Sequence, residues 1–208
     1  MKPLPWLLLA LAALGGAGIY KALHPEPTAN PLPAQKASPA VSPSPVPLGG
    51  PFTLVDQGGA VRTEKSFPGK YLIVYFGYSY CPDICPMALF SLSQVMETLD
   101  PEGKRLQPLF ITVDPARDTV ETLALYAQNF HPTFKMLTGS PEKIAAAMRA
   151  FRVYAAAAPK EGSTEELIDH SSVIYVMSPE GTFLTHFNHA TPVEEMLKGL
   201  RGVIKTTS

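Results

Sequence analysis

The stretch that decides the fold is Tyr71–Pro86, which reads YLIVYFGYSYCPDICP. Its first six residues, Tyr71–Phe76, are all aliphatic or aromatic, a pattern typical of a strand buried on both faces. The chain's two cysteines, Cys81 and Cys85, follow this strand, and each precedes a proline. Because a residue before proline is disfavoured in the α region, we expect a stiff loop here and a helix beginning near Pro86. The sequence therefore predicts two thiols held close together where a strand turns into a helix.

Composition indicates one globular domain with additional chain. The protein has 208 residues, of which 46% are hydrophobic and 17% charged, and its net charge is −1. This hydrophobic fraction is sufficient for a core, whereas the near-neutral charge without a long Lys/Arg run argues against nucleic acid or an acidic substrate. Two cysteines close in sequence do not form a disulfide scaffold, so they indicate a redox pair, a metal pair or both.

The N-terminal residues have the pattern of a membrane anchor. The segment Leu4–Tyr20 carries no charge and is rich in Leu, Ala and Gly, and its length is at the lower limit for crossing a bilayer. Trp6 and Tyr20 lie near its ends, where interfacial aromatic residues occur. We interpret residues 1–23 as an uncleaved transmembrane or signal anchor rather than a cleaved signal peptide, because no clean A-x-A motif is present. No cysteine follows the segment, which excludes a lipoprotein anchor.

Residues 24–50 are predicted to be a linker. They are rich in proline, alanine and serine, a composition that cannot bury a core and favours an extended, semi-rigid chain. Such a linker would hold the remaining domain, residues 51–208, away from a membrane surface.

From residue 51 onward, strand and helix patterns follow one another. The predicted elements are a hairpin over Phe52–Thr63, the strand Tyr71–Phe76, the helix Met87–Leu99, the strand Leu106–Val113, the helix Val120–Phe130, a short strand Phe134–Thr138, a helix from Pro141, an extended stretch Arg152–Ala158, a polar loop Pro159–Glu166, the antiparallel strands Ser172–Met177 and Thr182–Phe187, and a helix from Pro192. This order predicts an α/β fold: a mixed sheet flanked by helices, with an N-terminal β-hairpin and an insertion before the last hairpin. A cysteine pair at the first strand-to-helix turn indicates that this fold is thioredoxin-like.

The cysteine pair has three interpretations. A structural disulfide closing so short a loop would remove little chain entropy. A thioredoxin-type redox pair expects the spacing C-x-x-C, whereas this chain has C-x-x-x-C. Two soft thiolates favour Cu(I), zinc or iron–sulfur chemistry, but a mononuclear site needs a third ligand and the chain has no third cysteine.

Histidine is the remaining candidate for that ligand. His131 is predicted to be a helix cap or a surface residue, and His186 and His189 are predicted to be exposed around the last hairpin. His170 differs because it directly precedes the strand Ser172–Met177, in the loop that faces the cysteine turn of a thioredoxin-like sheet. Thioredoxins have a cis-proline in that loop and this chain has no proline there. From the residues alone, a structural role for His170 therefore stays open beside that of a ligand.

Three motifs occur in the order found in one known family. They are YCPDICP at 80–86, VDPARDT at 113–119 and DHSS at 169–172, and GKYLIVYFGY at 69–78 leads into the first. Together they resemble the Sco/SenC family of copper proteins, over about three quarters of the chain. The resemblance implies a thioredoxin-like, membrane-anchored copper metallochaperone that assembles the binuclear CuA centre of cytochrome c oxidase. It also implies Cys81, Cys85 and His170 as the copper ligands.

The same resemblance implies partners and a location. The expected acceptor is the CuA domain of cytochrome c oxidase subunit II, with another copper chaperone and a thioredoxin-like reductant as further partners. The chain is expected to be a monomer, anchored by a single pass in the inner cell membrane with its domain on the extracytoplasmic side.

Two other functions compete with copper delivery. A thiol–disulfide oxidoreductase that reduces the CuA cysteines or a copper chaperone would need only Cys81 and Cys85 as a redox-active pair. A reversible disulfide between them would exclude copper, since a disulfide sulfur has no thiolate charge to offer a metal. A peroxiredoxin-like peroxidase expects Thr-x-x-Cys, but Tyr78 stands three residues before Cys81.

Neighbouring residues are expected to have secondary roles. Asp83 is expected to face solvent. It either serves partner docking or tunes the thiols, or it is an ordinary exposed acid of the loop. Asp169 is expected to orient the loop or to hydrogen-bond near His170, and Met87 to be a core residue or a thioether neighbour. Arg117 is expected to fix the VDPARDT loop together with Asp118.

Overall fold

The computed structural model describes residues 47–158 and 167–206. The predicted anchor at residues 1–23, nearly all of the linker and the polar loop at 159–166 lie outside these ranges. No helix within the described ranges is long and apolar enough to cross a membrane.

Nine strands and four α-helices make up the described part of the chain. The strands are β1 (Thr53–Asp56), β2 (Val61–Thr63), β3 (Tyr71–Gly77), β4 (Leu106–Thr112), β5 (Lys135–Thr138), β6 (Ala155–Ala158), β7 (Leu167–His170), β8 (Val173–Met177) and β9 (Phe183–Asn188). The helices are α1 (Ile84–Leu99), α2 (Val120–Ala127), α3 (Pro141–Phe151) and α4 (Val193–Thr206). Strands and helices alternate from β3 to α3, as the sequence pattern predicts.

Seven of the strands form one mixed sheet in the order β2-β1-β5-β4-β3-β8-β9. The strand β3 is parallel to β4 and antiparallel to β8, and β4 is parallel to β5. The N-terminal hairpin β1–β2 joins the sheet through an antiparallel pairing of β1 with β5, and β9 pairs antiparallel with β8. The predicted α/β fold with a mixed sheet and an N-terminal hairpin is therefore confirmed.

The central strand β3 contributes to a hydrophobic core on each face of the sheet. All of its residues are buried, as its uninterrupted apolar sequence predicts. Ile73 and Tyr75 face a core that includes buried residues of α1, α2 and α4. Leu72, Val74 and Phe76 face a second core against α3. Because both faces of β3 are covered, the loop at its end starts from a rigid position.

The helix after this loop begins earlier than predicted. α1 starts at Ile84, whereas the sequence argument placed the start near Pro86. Pro86 instead occupies the first helical turn, where its missing N–H costs no hydrogen bond. The carbonyl that its ring would otherwise meet, that of Pro82, lies before the helix. Cys85 is consequently a helical residue rather than a loop residue.

Two other bounds differ from the prediction. α2 ends at Ala127 rather than Phe130, and residues 128–130 continue as turns. The insertion before the last hairpin contains a strand that the sequence argument missed, since β7 pairs antiparallel with β6 in a separate two-stranded sheet. β7 ends at His170, so this histidine is the last residue of a paired strand and not part of an open loop.

Candidate metal centre

The two cysteines and His170 meet where β3, α1 and β7 end or begin. Cys81 lies in the loop after β3, Cys85 is the second residue of α1, and His170 closes β7. Their ligand atoms all lie within 4.8 Å of one another. The Cys85 Sγ is 3.3 Å from His170 Nε2, and the Cys85 N–H donates to Cys81 Sγ at 3.4 Å. Cys85 is buried, whereas Cys81 and His170 are half-buried.

Gly77, the last residue of β3, makes room for the Cys85 sulfur. A Cβ at this position would lie 2.8 Å from Cys85 Sγ and 2.9 Å from the Phe110 ring. Both distances are shorter than ordinary carbon contacts of about 3.5–4.0 Å. The sulfur can pack under the strand end because residue 77 has no side chain.

A buried carboxylate ties the cysteine loop to the loop after β4. Asp118 is 0% exposed and accepts hydrogen bonds from the Ser79 N–H at 3.1 Å and from the Thr112 hydroxyl at 2.6 Å. The Ser79 hydroxyl also donates to it. Burial raises the pKa of Asp118, and these hydrogen bonds oppose that rise by stabilising the carboxylate. Asp118 thereby fixes the chain two residues before Cys81.

Arg117 holds two tyrosines of the cysteine loop. Its guanidinium lies over the rings of Tyr78 and Tyr80, at 5.7 Å and 5.1 Å from their centroids. The same side chain forms an ion pair with Asp114. The VDPARDT motif therefore acts on the cysteine loop through two neighbouring residues, the buried Asp118 and the stacked Arg117.

Two tyrosines border the histidine, and the sequence argument did not single them out. Tyr75 and Tyr78 meet the His170 ring edge-to-face, with centroid distances of 6.1 Å and 5.9 Å. The Tyr75 hydroxyl donates to Cys85 Sγ at 3.8 Å, and the Ile168 N–H donates to the Tyr78 hydroxyl at 3.2 Å. The sequence signal that could have indicated Tyr75 is its position in the strand, because strand alternation places Tyr75 on the same face of β3 as Gly77.

The imidazole is oriented by a backbone carbonyl. His170 Nδ1 lies 3.3 Å from the carbonyl oxygen of Ser171. A proton on Nδ1 would donate to this oxygen and leave the lone pair of Nε2 directed at the cysteines. Asp169, the predicted orienting residue, is exposed. The backbone carbonyl of Ser171, the residue after His170, makes the orienting contact instead.

The two thiols have opposite proton affinities. A hydrogen bond from Cys85 is the main cause that lowers the pKa of Cys81 to about 3, with burial opposing and the nearby His170 lowering it further. The hydrogen bond to Cys81, and then burial, raise the pKa of Cys85. The two shifts favour the thiolate form at the half-buried Cys81 and the protonated form at the buried Cys85. No disulfide joins Cys81 and Cys85 in this structure.

The other candidate residues lie apart from this cluster. His131 is 8% exposed, so the prediction of a cap or surface residue is wrong; its Nδ1 lies 2.7 Å from the Thr133 hydroxyl. His186 is exposed, as predicted, but lies within β9 rather than in a turn, and His189 follows that strand and is half-buried rather than exposed. Met87 is 54% exposed and is not a core residue. Cys81, Cys85 and His170 are the one group of three or more Cys, His, Asp or Glu within residues 47–158 and 167–206 that could hold a metal ion.

The donor set suits copper. Two thiolates and an imidazole are soft enough for Cu(I), and the nitrogen adds stability to Cu(II). Three ligands spread evenly around one ion at roughly 2.0–2.3 Å lie about 3.5–4.0 Å apart. The observed separations, all within 4.8 Å, would therefore close on an ion after a movement of about 1 Å.

Comparison with known proteins identifies the family. The SCO1/SenC family model matches residues 41–205. "Protein SCO2 homolog, mitochondrial" of Bos taurus is 45% identical over 154 residues, which cover 73% of this chain and 58% of that protein. This chain thus spans less than two thirds of the length of that relative.

Two solved structures show the same fold. The copper-bound ScoI of Bradyrhizobium japonicum is 38% identical, with a TM-score of 0.68 over 74% of this chain and 98% of that one. The copper-bound ScoI of Arabidopsis thaliana is 40% identical, with a TM-score of 0.69 over 76% of this chain and 99% of that one. These likenesses confirm the predicted thioredoxin-like architecture. The chain therefore belongs to the SCO1/SenC family.

Proposed function

We propose that this protein is a copper metallochaperone that delivers copper to the CuA centre of cytochrome c oxidase. The observation that carries the proposal is the convergence of Cys81, Cys85 and His170 within 4.8 Å at the end of the central strand. The two ScoI relatives, 38% and 40% identical, were solved with copper bound, which supports copper as the ion.

The geometry suggests how copper would bind and leave. Cys81 offers a thiolate at once, whereas the buried Cys85 must release its proton to the solvent before it becomes a ligand. The buried Cys85 would hold the ion from the inner side, and of the two half-buried ligands the Cys81 sulfur would be the first that an incoming acceptor thiolate replaces. Copper would then pass by ligand exchange, in which each new copper–sulfur bond replaces one of the existing bonds without electron transfer.

A thiol–disulfide oxidoreductase is the second candidate function. It is favoured by the lowered pKa of Cys81 and its partial exposure, since an accessible thiolate is the nucleophile of disulfide exchange. In this reaction Cys81 would attack the disulfide of a partner, and Cys85 would then close the intramolecular disulfide. Two electrons and two protons would move to the partner thiols. Metal binding and this reaction would exclude each other because they use the same sulfurs.

The proposed location follows from the sequence pattern. Residues 1–23 would anchor the protein in the inner cell membrane by a single pass, and the linker 24–50 would hold the domain 51–208 on the extracytoplasmic side as a monomer. Thiols tend to oxidise in that compartment, so a thioredoxin-like reductant would be needed to keep the cysteine pair open.

The test is copper transfer from the loaded full chain, in detergent, to an isolated apo CuA domain of subunit II. After ferricyanide removes one electron from the delivered copper pair, we expect the CuA absorption to appear with the wild-type chain and to be absent with Cys85→Ser. The His170→Ala variant separates the two functions, since it should impair copper delivery and leave disulfide reduction largely intact. Copper delivery is refuted if the CuA domain remains metal-free after incubation with the loaded wild-type protein.

A further inference from the structure

The surface around the cysteine loop is unusually apolar. Within the described ranges, the large apolar side chains that remain exposed include five near this loop: Tyr80 57%, Ile84 38%, Met87 54%, Phe90 50% and Leu125 67%. We call these five residues the apolar surface. A contiguous exposed apolar patch on a soluble domain commonly marks an interaction site.

The apolar surface is continuous along α1 and across to α2. Ile84, Met87 and Phe90 follow Cys81 at a spacing of three residues, which keeps them along one side of α1. The opposite side of α1 supplies the buried core residues, so the fold does not need this outer stripe. The stripe therefore begins at the half-buried metal ligand and runs away from it.

Ring contacts and a groove connect α1 with α2. The Phe90 ring lies 5.1 Å from that of Phe130, which lies 5.0 Å from that of Tyr126. Tyr126 lines an open groove of about 440 Å³ that also contacts Tyr80 and Leu125. The stacked Arg117 holds the Tyr80 ring at one side of the groove. The surface is thus already formed before a partner arrives.

The charges at its edge are acidic apart from Arg117, whose guanidinium lies over Tyr80 and is paired with Asp114. The segments that build the surface contain no Lys or Arg between Tyr71 and Gly103 or between Asp118 and Phe134. Asp83 and Glu121 are exposed beside it. A complementary partner would present an apolar face with Lys or Arg at its margin. A membrane surface is disfavoured as the occupant, because anionic lipid attracts basic rather than acidic segments.

We propose that the apolar surface is the docking site for the copper acceptor, an apo CuA domain, and that the acceptor covers this surface with an apolar face of its own. This inference rests on the proposed copper delivery. Ligand exchange requires an acceptor thiolate within bonding distance of Cys81. An acceptor that comes so close to Cys81 also covers Tyr80 and Ile84, the two residues of the apolar surface that lie on either side of Cys81 in the sequence.

The test compares Leu125→Ser with a matched control, Val61→Ser, in the full chain. Leu125 is 67% exposed and is not a metal ligand, so its replacement should leave copper loading and the melting temperature unchanged. Val61 is 65% exposed on β2, at the edge of the sheet and separated from β3 by three strands. At low acceptor concentration we expect Leu125→Ser to slow CuA formation roughly five- to tenfold, as for a residue at the centre of an interface, and Val61→Ser to change nothing.

Two further measurements make the outcome decisive. Raising the acceptor concentration should restore the rate of Leu125→Ser, because the substitution weakens docking and not ligand exchange. Binding of the apo CuA domain to the metal-free chain, measured by calorimetry, should weaken by the same factor.

Equal transfer rates for Leu125→Ser and wild type would overturn the inference while leaving copper delivery intact. Conversely, weaker binding by Leu125→Ser together with no transfer from wild type would support the docking site and refute copper delivery. If Leu125→Ser reduces only self-association in sedimentation, or only binding to anionic vesicles, the surface serves a second copy or a membrane and the inference is wrong.

Discussion

Replacing Gly77 by alanine tests whether the end of β3 positions the copper ligands. The added Cβ would lie 2.8 Å from Cys85 Sγ and 3.1 Å from the Tyr75 ring. Ordinary contact requires about 3.5 Å, so the sulfur or the strand must move by roughly 0.7 Å or more. The backbone of residue 77 does not lie in the left-handed region, so the effect of alanine is steric rather than conformational.

The expected magnitudes follow from this displacement. Overpacking of a filled core costs about 1–3 kcal/mol, which lowers the melting temperature of a domain of this size by about 2–4 °C per kcal/mol. A site that holds its metal needs its ligands placed to about 0.5 Å, so we expect copper affinity to fall roughly 10–100-fold. Circular dichroism measures the first quantity, and competition with a Cu(I) chelator measures the second.

Gly199→Ala is the matched control for this variant. Its Cβ would lie 2.9 Å from the Phe187 ring, a comparable overlap between α4 and β9 that involves no metal ligand. It should lower stability by the same kind of overlap, reduced by the roughly 1 kcal/mol that alanine gains over glycine inside a helix, and leave copper affinity unchanged. The positioning argument fails if Gly77→Ala binds copper as tightly as the wild-type protein, or if Gly199→Ala loses as much affinity.

Three further predictions concern the site and its supports. His170→Ala should weaken Cu(II) binding more than Cu(I) binding, because Cu(I) tolerates two thiolates alone; metal analysis and visible spectroscopy would show this, and equal losses would contradict it. Because the pKa of Cys81 is lowered to about 3, its thiolate persists in mild acid, so its alkylation rate should stay nearly constant from about pH 8 to about pH 5, whereas an ordinary cysteine would slow about tenfold per unit. In Cys85→Ala, which removes the main cause of that shift, the rate should regain a pH dependence; mass spectrometry after brief alkylation measures both, and a flat profile in the variant would refute the cause. Asp118→Ala leaves the Ser79 and Thr112 donors without their acceptor and should lower the free energy of unfolding by about 2–4 kcal/mol in urea titrations, and a loss below about 1 kcal/mol would show that the carboxylate does not tie the loops.

The central part of the fold could be predicted because its signals are local. An uninterrupted apolar run can hardly be anything but a doubly covered strand, and β3 is buried along its whole length. Pro108 illustrates the limit of such rules, since a proline argues against an interior strand. It is tolerated in β4 because β5 pairs only from Leu109 onward, which leaves that side of Pro108 without a neighbouring strand.

The metal site was harder to predict because its parts are distant in sequence. The cysteine pair could be recognised from its short spacing and from the proline after each cysteine. The residues alone left the role of His170 open, and only the family resemblance indicated it as a ligand. The sequence predicts an extended stretch that contains β6 but does not predict β7, so the pairing of the two strands that places His170 beside Cys85 was missed. Supporting residues such as Tyr75 and Asp118 could not be assigned, since their contacts arise only when strand ends meet.

The most direct test of the copper site is X-ray absorption spectroscopy of the full chain loaded with Cu(I), together with a copper count per chain. The account predicts one copper ion bound by two sulfur atoms and one nitrogen atom, and the loss of the nitrogen in His170→Ala. The assignment of Cys81, Cys85 and His170 as the copper ligands would be contradicted by a spectrum with a single sulfur ligand. It would also be contradicted if the spectrum of His170→Ala were identical to that of the wild-type protein.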